Sequence, residues 1–302
     1  MFKQIVITTL ILALGTALVF AAPSADPQFE RLSARFMDQY PALSPVGATS
    51  LGDHRFDHRL NEVSAKARAQ ELAFYQDVLD QLQEIDPAQL SRANQVDYVL
   101  LKQDLNGNVW FMETLQEWAW NPLVYTRLCG SAIYSLVARD FAPLNTRLQH
   151  VTDRLEQFPR LFRQIRATLK PQRVPKIHAE TAIKQNRGVL SILDNRVQPH
   201  VETLPPAQRQ RLKRAMATAR TEVETHQQWL ENKLLPQAQG TFRLGKQRYN
   251  QKLAFTLKTA FTSDQIRSRG QQELKRVRHE MYRISKPVYQ AQYPNTQFPA
   301  NP

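Results

Sequence analysis

Apolar residues recur along most of this chain at intervals of three and four positions. The clearest run has spacings of four, three, four and three, at Leu144, Leu148, Val151, Leu155 and Phe158. Such spacing places the apolar side chains on one face of an α-helix. Alternation with a period of two, typical of a strand, is confined to a short stretch at 241–244. The pattern predicts an all-α protein, a single array of about eight to ten helices.

Prolines and capping residues mark where these helices begin. A polar residue that can accept a hydrogen bond from the first turn, or a proline at the first helical position, indicates a start. The predicted starts are Asp26-Pro27, Ser64, Asp86-Pro87, Asn121-Pro122, Pro205-Pro206 and Thr262. Asp26 is expected to cap a first helix that runs to about Tyr40. Asp86-Pro87 is expected to open a long helix that reaches Met112, and residues 50–62 form a loop.

The last predicted helix begins with the capping box Thr262-Ser263-Asp264-Gln265. Its apolar positions fall in line: Ile266, Gly270, Leu274, Val277, Met281 and Ile284. Because this stripe is expected to face the core, His279 is expected to point away from it. A zinc site of the His-Glu-x-x-His type needs a second histidine four residues on, and Arg283 stands there instead. The pattern therefore predicts that His279 and Glu280 form an ordinary surface pair.

The N-terminus has the anatomy of a secretory signal peptide. Lys3 precedes an apolar stretch from Ile5 to Phe20, and small residues precede a cleavage point after Ala21 or Ala22. The alternative is an uncleaved anchor, but about sixteen apolar residues are short of the roughly twenty that span a bilayer. No cysteine stands directly after this stretch, which excludes a lipoprotein anchor there. The sequence predicts a signal peptide over residues 1–21, no later transmembrane segment, and a periplasmic or secreted bacterial protein.

The cysteine count and the net charge limit which covalent links and which binding partners the chain can have. Cys129 is the only cysteine, so no intrachain disulfide can form, and its apolar neighbours predict a buried, inert thiol. The net charge of +13 invites a nucleic-acid interpretation. The basic residues are scattered along helices without a recognition-helix pattern, which favours solvated helix faces over a specific nucleic-acid site.

Three groups of residues suggest chemistry, each with a plainer alternative. His54 and His58 lie among aspartates and suit a metal, but their segment predicts a structured loop with local pairing. His226 lies on an apolar helix face and is predicted to be a hydrogen-bonded core histidine rather than a ligand. Trp118 and Trp120 could wall a substrate pocket, although aromatic residues at helical spacing usually pack in a core.

Four short motifs, taken together in their order along the chain, indicate a resemblance to a known family. They are Leu51-Gly52-Asp53-His54-Arg55-Phe56-Asp57, Arg139-Asp140-Phe141-Ala142-Pro143, Arg154-Leu155 with Phe158-Pro159, and Phe242-Arg243-Leu244-Gly245 with Tyr249 and Leu253. In this order the chain resembles, from about Phe29 to Ile284, the N-terminal half of the exported bacterial family known as domain of unknown function 885. The resemblance implies a relation to helical zinc carboxypeptidases in proteins about twice this length. Residues 22–302 would then be the N-terminal helical part of a larger domain, truncated at its C-terminus.

The resemblance also implies where the metal would lie. The family's zinc motif, of the type His-Glu-x-x-Pro-Gly-His, belongs to the C-terminal half, and this chain has no Pro-Gly dipeptide. We therefore expect no catalytic residue and no cofactor in this chain, with zinc only in the missing half. In helical zinc peptidases the N-terminal half forms a wall of the substrate cleft, which makes Arg139, Asp140 and Arg243 candidate substrate-binding residues. Arg243 suits two-pronged carboxylate binding. The alternative is that Arg139-Asp140 caps a helix and Arg243 makes a local salt bridge.

Two main functions remain open. The chain is either the N-terminal portion of an exported zinc-dependent peptidase or hydrolase, inactive alone, or a complete, non-enzymatic periplasmic helical module for an anionic or protein partner. The first predicts a peptide-like substrate for the full-length protein, and the second predicts binding that weakens with salt. A third, weaker hypothesis is metal binding by His54 and His58. The sequence predicts no specific nucleic-acid partner and no particular oligomeric state.

Overall fold

The computed structural model describes residues 24–298 and residue 300, so the predicted signal peptide lies outside the described residues. Within this part all the regular elements are helices and no strand forms, only an isolated bridge between Pro175 and Gly240. The α-helices are α1 Asp26–Leu43, α2 Pro45–Leu51, α3 Ala65–Gln83, α4 Arg92–Trp110, α5 Glu117–Trp120, α6 Pro122–Val137, α7 Leu144–Leu155, α8 Phe158–Thr168, α9 Lys176–Asn186, α10 Gly188–Ile192, α11 Pro206–Trp229, α12 Gly245–Leu257 and α13 Ser263–Gln292. The all-α prediction is confirmed. Among these described helices, none is long and apolar enough to cross a membrane.

Three of the predicted helix caps are confirmed by their hydrogen bonds. The side chain of Ser64 accepts from the backbone N–H of Ala67, and that of Asn121 accepts from Leu123. At the start of α13, Thr262 and Gln265 form both hydrogen bonds of a capping box. Local sequence therefore sets these starts without help from tertiary structure.

The first helix begins at Asp26 as predicted, but the predicted cap Asp26 and the predicted helix start at Asp86-Pro87 are wrong. Ala25, not Asp26, is the N-cap of α1. The carboxylate of Asp26 instead accepts hydrogen bonds of 2.8 Å from the backbone N–H of Ser91 and from the side chain of Asn94, which ties α1 to the start of α4. Asp86 caps only one 3₁₀ turn, and the long helix begins at Arg92 after the cap Ser91.

The core consists of two clusters of buried side chains. The smaller cluster joins α1, α3 and α4, and the larger one joins α6 to α11. The stripe predicted between residues 144 and 158 lies in the larger cluster, where Leu148, Val151, Leu155 and Phe158 are completely buried. Its periodicity was therefore a correct guide to the face of α7 that packs inward.

Helices α12 and α13 lie outside both clusters. Neither helix has a buried residue. The prediction that Val277, Met281 and Ile284 face the core is wrong, since these side chains are 37%, 62% and 56% exposed. The periodicity gave the apolar face correctly, but no helix in the described part of the chain covers it.

Candidate functional site

Three of the sequence motifs meet around a buried arginine. Arg154 has no exposed surface, and its guanidinium donates to the backbone oxygens of Arg59 and Ala132, each at 2.9 Å, and to the Thr49 hydroxyl at 2.6 Å. Asp57, also buried, accepts from Thr49 at 2.5 Å and lies 3.9 Å from the guanidinium. Burial lowers the pKa of Arg154 to about 10, and the charge of Asp57 opposes that shift. This charge pair joins the loop after α2 to α7.

The same motifs supply the contacts around this pair. His54 shares a 2.9 Å hydrogen bond with Asp57 through Nδ1, and its ring stacks on Phe141 at a centroid distance of 3.7 Å. Asp140 accepts a hydrogen bond of 2.6 Å from the largely buried Arg147. The motifs that contain these residues are thus used in internal contacts, which gives them a structural role.

Arg139, the first candidate substrate-binding residue, lies at the edge of this cluster. Its guanidinium donates to the backbone oxygen of Ser50 at 3.3 Å, and it borders a cavity of about 130 Å³. Asp140 is exposed and paired with Arg147, and it caps no helix, because Pro143 is the N-cap of α7. Neither residue lines the cavities that contain Arg243.

The remaining motif, residues 242–245, lies largely at the surface and follows a close crossing of two backbone segments. The N–H of Gly240 donates to the oxygen of Val174 at 2.9 Å, and a Cβ on Gly240 would stand 1.9 Å from the oxygen of Arg173. Only glycine fits there. Residues 241–244, where the alternation allowed a short strand, form no strand, and the isolated bridge beside them ends at Gly240.

Arg243 separates two adjoining cavities. One, of about 770 Å³, is lined on the α12 and α13 side by residues that include Phe242, Tyr249 and Arg267. The other, of about 310 Å³, is lined by residues that include Trp120 and Arg248. Arg243 and Leu244 border both. We call the two cavities together the Arg243 cleft.

The Arg243 cleft has more positive than negative charge. Its linings contain the cations Arg173, Arg243, Lys246, Arg248, Lys252 and Arg267 and the single carboxylate Asp264. Asp264 is paired with Lys246 at 2.9 Å and with Arg267 at 3.5 Å, and Lys252 is paired with Glu117 outside the linings. Among the described residues, Arg243 and Arg248 have no carboxylate partner, so the local salt bridge considered for Arg243 does not form.

An aromatic wall adjoins these charges. The ring of His178 lies between Trp120 and Phe242, at centroid distances of 5.8 and 6.1 Å. Desolvation lowers the pKa of His178, more than the nearby Glu117 raises it, so the ring is neutral at pH 7. Its buried Nδ1 has no hydrogen-bond partner among the described residues. Sequence reasoning missed His178 because both of its aromatic neighbours are distant in the chain.

Trp118 and Trp120 mainly pack inside the protein, as the alternative to a substrate-pocket wall predicted. The indole N–H groups of Trp118 and Trp120 donate to the backbone oxygens of Met112 and Leu115, at 3.0 and 2.8 Å. Arg68 lies over the ring of Trp118 at 4.1 Å. Trp120 nevertheless borders the Arg243 cleft, so the pocket interpretation applies to part of its surface.

The other candidates from the sequence lie elsewhere. Cys129 is buried, and burial raises the pKa of its thiol to about 12, which fits an inert residue. His226 is a core residue as predicted, but its Nδ1 has no hydrogen-bond partner in the described part of the chain. His58 is exposed beside His150, while His54 is held by Asp57. Within residues 24–298, no group of three His, Cys, Asp or Glu side chains is placed to hold a metal ion.

The helical array and its cationic, partly aromatic cleft define an all-α protein with a candidate anion-binding site. Residues 45–298 match the family described as bacterial protein of unknown function, DUF885, and the chain belongs to that family. One similar solved structure is that of "a putative lipoprotein of unknown function" from Shewanella oneidensis, with 26% sequence identity and a TM-score of 0.76. The match covers 90% of this chain and 50% of that one, so the chain spans about half the length of this solved relative. No match was found among curated proteins.

Proposed function

We propose that this chain is the substrate-binding helical portion of an exported, metallopeptidase-type hydrolase, and that the Arg243 cleft holds the carboxylate of a peptide-like substrate. The observation that carries the proposal is the unpaired guanidinium of Arg243 between two cavities. A guanidinium offers two parallel N–H donors that match a carboxylate, and Arg248 adds a second unpaired cation. The aromatic surfaces of Phe242, Tyr249 and Trp120 suit the apolar parts of a peptide.

In this proposal the described residues bind the substrate but do not catalyse its cleavage. The described residues do not fit a zinc site, because no three metal-binding side chains converge. The matched region is half of the Shewanella protein, so an equal length of chain in that relative has no counterpart in the match. We assign to this chain the binding and orientation of substrate, and to such additional chain the zinc and the bond cleavage.

Two observations support export. The first 21 residues have the pattern of a signal peptide. The Shewanella neighbour is described as "a putative lipoprotein", and lipoproteins are a class of exported protein. We propose no lipid anchor for this chain, because no cysteine stands directly after the apolar stretch.

A binding titration tests the role of Arg243. The probes are a tripeptide with a free C-terminal carboxylate and the same tripeptide as its C-terminal amide, measured by isothermal titration calorimetry at low salt. We expect the free acid to bind more tightly, and Arg243→Gln to weaken its binding at least tenfold, since a charged hydrogen bond contributes about 1.5 kcal/mol or more. Arg31→Gln is the matched control, because Arg31 is an exposed arginine without an ion pair in the described structure. Equal binding of acid and amide would contradict the proposal.

The second candidate function is a non-enzymatic module that binds a polyanion through its basic surface. The observation in its favour is the net charge of +13, spread over many helices. Such binding falls steeply with salt and depends little on any one cation. A sulfated polysaccharide bound equally by wild type, Arg243→Gln and Arg31→Gln, with no binding of the tripeptide, would favour this module over the hydrolase.

A further inference from the structure

The smaller cavity of the Arg243 cleft is lined by three arginines and by no carboxylate. Arg173, Arg243 and Arg248 all border this space of about 310 Å³. Among the described residues, none of the three guanidinium groups has a carboxylate partner. The guanidinium of Arg173 donates one hydrogen bond, of 2.8 Å, to the neutral side-chain amide of Gln116, so its other N–H groups are available to a ligand.

Two separate segments of the chain bring these arginines to the same cavity. Arg173 ends the 3₁₀ turn Pro171–Arg173, and the backbone of Gly240 crosses directly beside it, where a Cβ would stand 1.9 Å from the oxygen of Arg173. Arg243 follows this crossing by three residues, and Arg248 lies near the start of α12. The close approach of the two backbones therefore sets the positions from which the three side chains extend.

The carboxylates around the cleft do not neutralise these arginines. Glu117 is paired with Lys252 at 3.1 Å, and Asp264 is paired with Lys246 at 2.9 Å and with Arg267 at 3.5 Å. Three uncompensated positive charges that border one small cavity repel one another. A ligand with one carboxylate offsets one of these charges, whereas a ligand with two carboxylates offsets two and can accept paired N–H groups at each.

We propose that the smaller cavity binds an acidic C-terminal residue of the substrate, glutamate or aspartate, an assignment that rests on the proposed function of Arg243. Arg243 holds the terminal carboxylate, and Arg173 and Arg248 hold the side-chain carboxylate. Leu115 and Trp120 provide an apolar surface for the methylene groups. A volume of about 310 Å³ is at the lower end of the range for small-molecule sites, which suits one residue rather than a longer segment. The preceding residues of the peptide extend into the larger cavity, which Arg243 also borders.

Calorimetric titration with two tripeptides tests this preference. The peptides Ala-Ala-Glu and Ala-Ala-Gln have the same free terminal carboxylate and nearly the same shape, and they differ by one negative charge. We expect Ala-Ala-Glu to bind the purified chain at least tenfold more tightly at low salt, because a hydrogen bond to a charged group contributes roughly that factor. Inorganic phosphate, a smaller anion of similar charge, is the third probe. It should bind at least tenfold more weakly than Ala-Ala-Glu, since it lacks the apolar part and the second carboxylate.

Substitution of single arginines locates the second carboxylate. Arg173→Gln and Arg248→Gln should each reduce the ratio of the two peptide affinities roughly threefold or more, and should change the affinity for Ala-Ala-Gln by less than about twofold. Arg243→Gln should weaken the binding of both peptides. Arg278→Gln is the matched control, because it removes the same charge from an exposed arginine that borders neither cavity. Circular dichroism checks that each variant keeps the helix content of the wild type.

The possible failures are distinguishable. Equal binding of Ala-Ala-Glu and Ala-Ala-Gln, with both tighter than the C-terminal amide, would overturn the acidic preference and leave the carboxylate role of Arg243 intact. An absence of binding by every peptide would overturn both proposals. Phosphate that binds as tightly as Ala-Ala-Glu would make the cavity a site for a small anion instead. A preference that persists in Arg173→Gln and Arg248→Gln, or that falls equally in Arg278→Gln, would trace it to the net charge of the chain and overturn the assignment.

Discussion

The environment of His226 disfavours the charged form of its imidazole ring. Its ring lies between Phe162 and Trp229, at centroid distances of 5.0 and 5.5 Å. Burial, with a smaller effect from the charge of Arg166, lowers its pKa to about 3. The unfolded chain, with a histidine pKa of about 6.5, therefore binds a proton that the folded chain does not bind between these two values. Folding stability contributed by this residue is full above pH 6.5 and is lost as the pH falls towards 3.

The pH dependence of unfolding tests this assignment. We expect the free energy of unfolding to fall by roughly 4 kcal/mol between pH 6.5 and 3 because of this one group. His226→Phe should remove about one proton from the pH slope measured by urea unfolding between pH 6.5 and 4. An unaltered slope in His226→Phe would show that other groups account for it.

Asp57 is predicted to matter for stability through the charge it provides to buried Arg154. Asp57→Asn leaves that guanidinium without a counter-charge in the core, and we expect a loss of about 3 kcal/mol in the free energy of unfolding. Asp53→Asn makes the same chemical change at a more exposed pair with Arg55 and should cost less than about 1 kcal/mol. Chemical denaturation measures both. Similar losses in the two variants would contradict the structural role assigned to the buried pair.

At the scale of single residues, the sequence predicted which residues belong to a candidate site better than it predicted the contacts that residues make. The resemblance marked Arg243, and the structure places it at a cavity without an ion pair. The neighbours of His178 come from positions 120 and 242, which only the folded chain brings together. Asp26 failed as a predicted cap because its partners, Ser91 and Asn94, belong to another helix.

Helices α7 and α13 show which structural property the spacing of apolar residues predicts. Both have apolar residues at intervals of three and four, yet the face of α7 is buried and that of α13 is exposed. The spacing defines which side of a helix is apolar, because that depends on local geometry alone. What covers that side depends on chain elsewhere, so the sequence could predict the helices but not the boundary of the core.

The capping box at the start of α13 gives a prediction for one element. Thr262→Ala removes the side-chain acceptor for the N–H of Gln265, and we expect a local loss of about 1 kcal/mol. Because α13 has no buried residue, the loss should appear as faster hydrogen exchange in its first two turns and leave the global midpoint nearly unchanged. Ser268→Ala, within the same helix, should not speed exchange. A large shift of the global midpoint in Thr262→Ala would show that α13 unfolds with the core.

For the whole molecule, the two buried clusters predict an uneven distribution of stability. Segments rich in buried contacts open only with global unfolding, whereas exposed helices open locally. Native-state hydrogen exchange should therefore protect amides in α7, α8 and α11 by the full unfolding free energy, and amides in α13 far less. Equal protection in α11 and α13 would contradict this order.

The anchoring of α13 has a mechanical consequence. Its first turn is held against α12 by the Lys246–Asp264 pair and by the Asn250 side chain, which accepts from the N–H of Ser263. Ser263 and Asp264 also line the Arg243 cleft. A helix of 30 residues is about 45 Å long, so a tilt of about 10° at this end moves the other end by about 8 Å. A ligand that rearranges the cleft would thus tilt α13 at its anchored end and displace its far end.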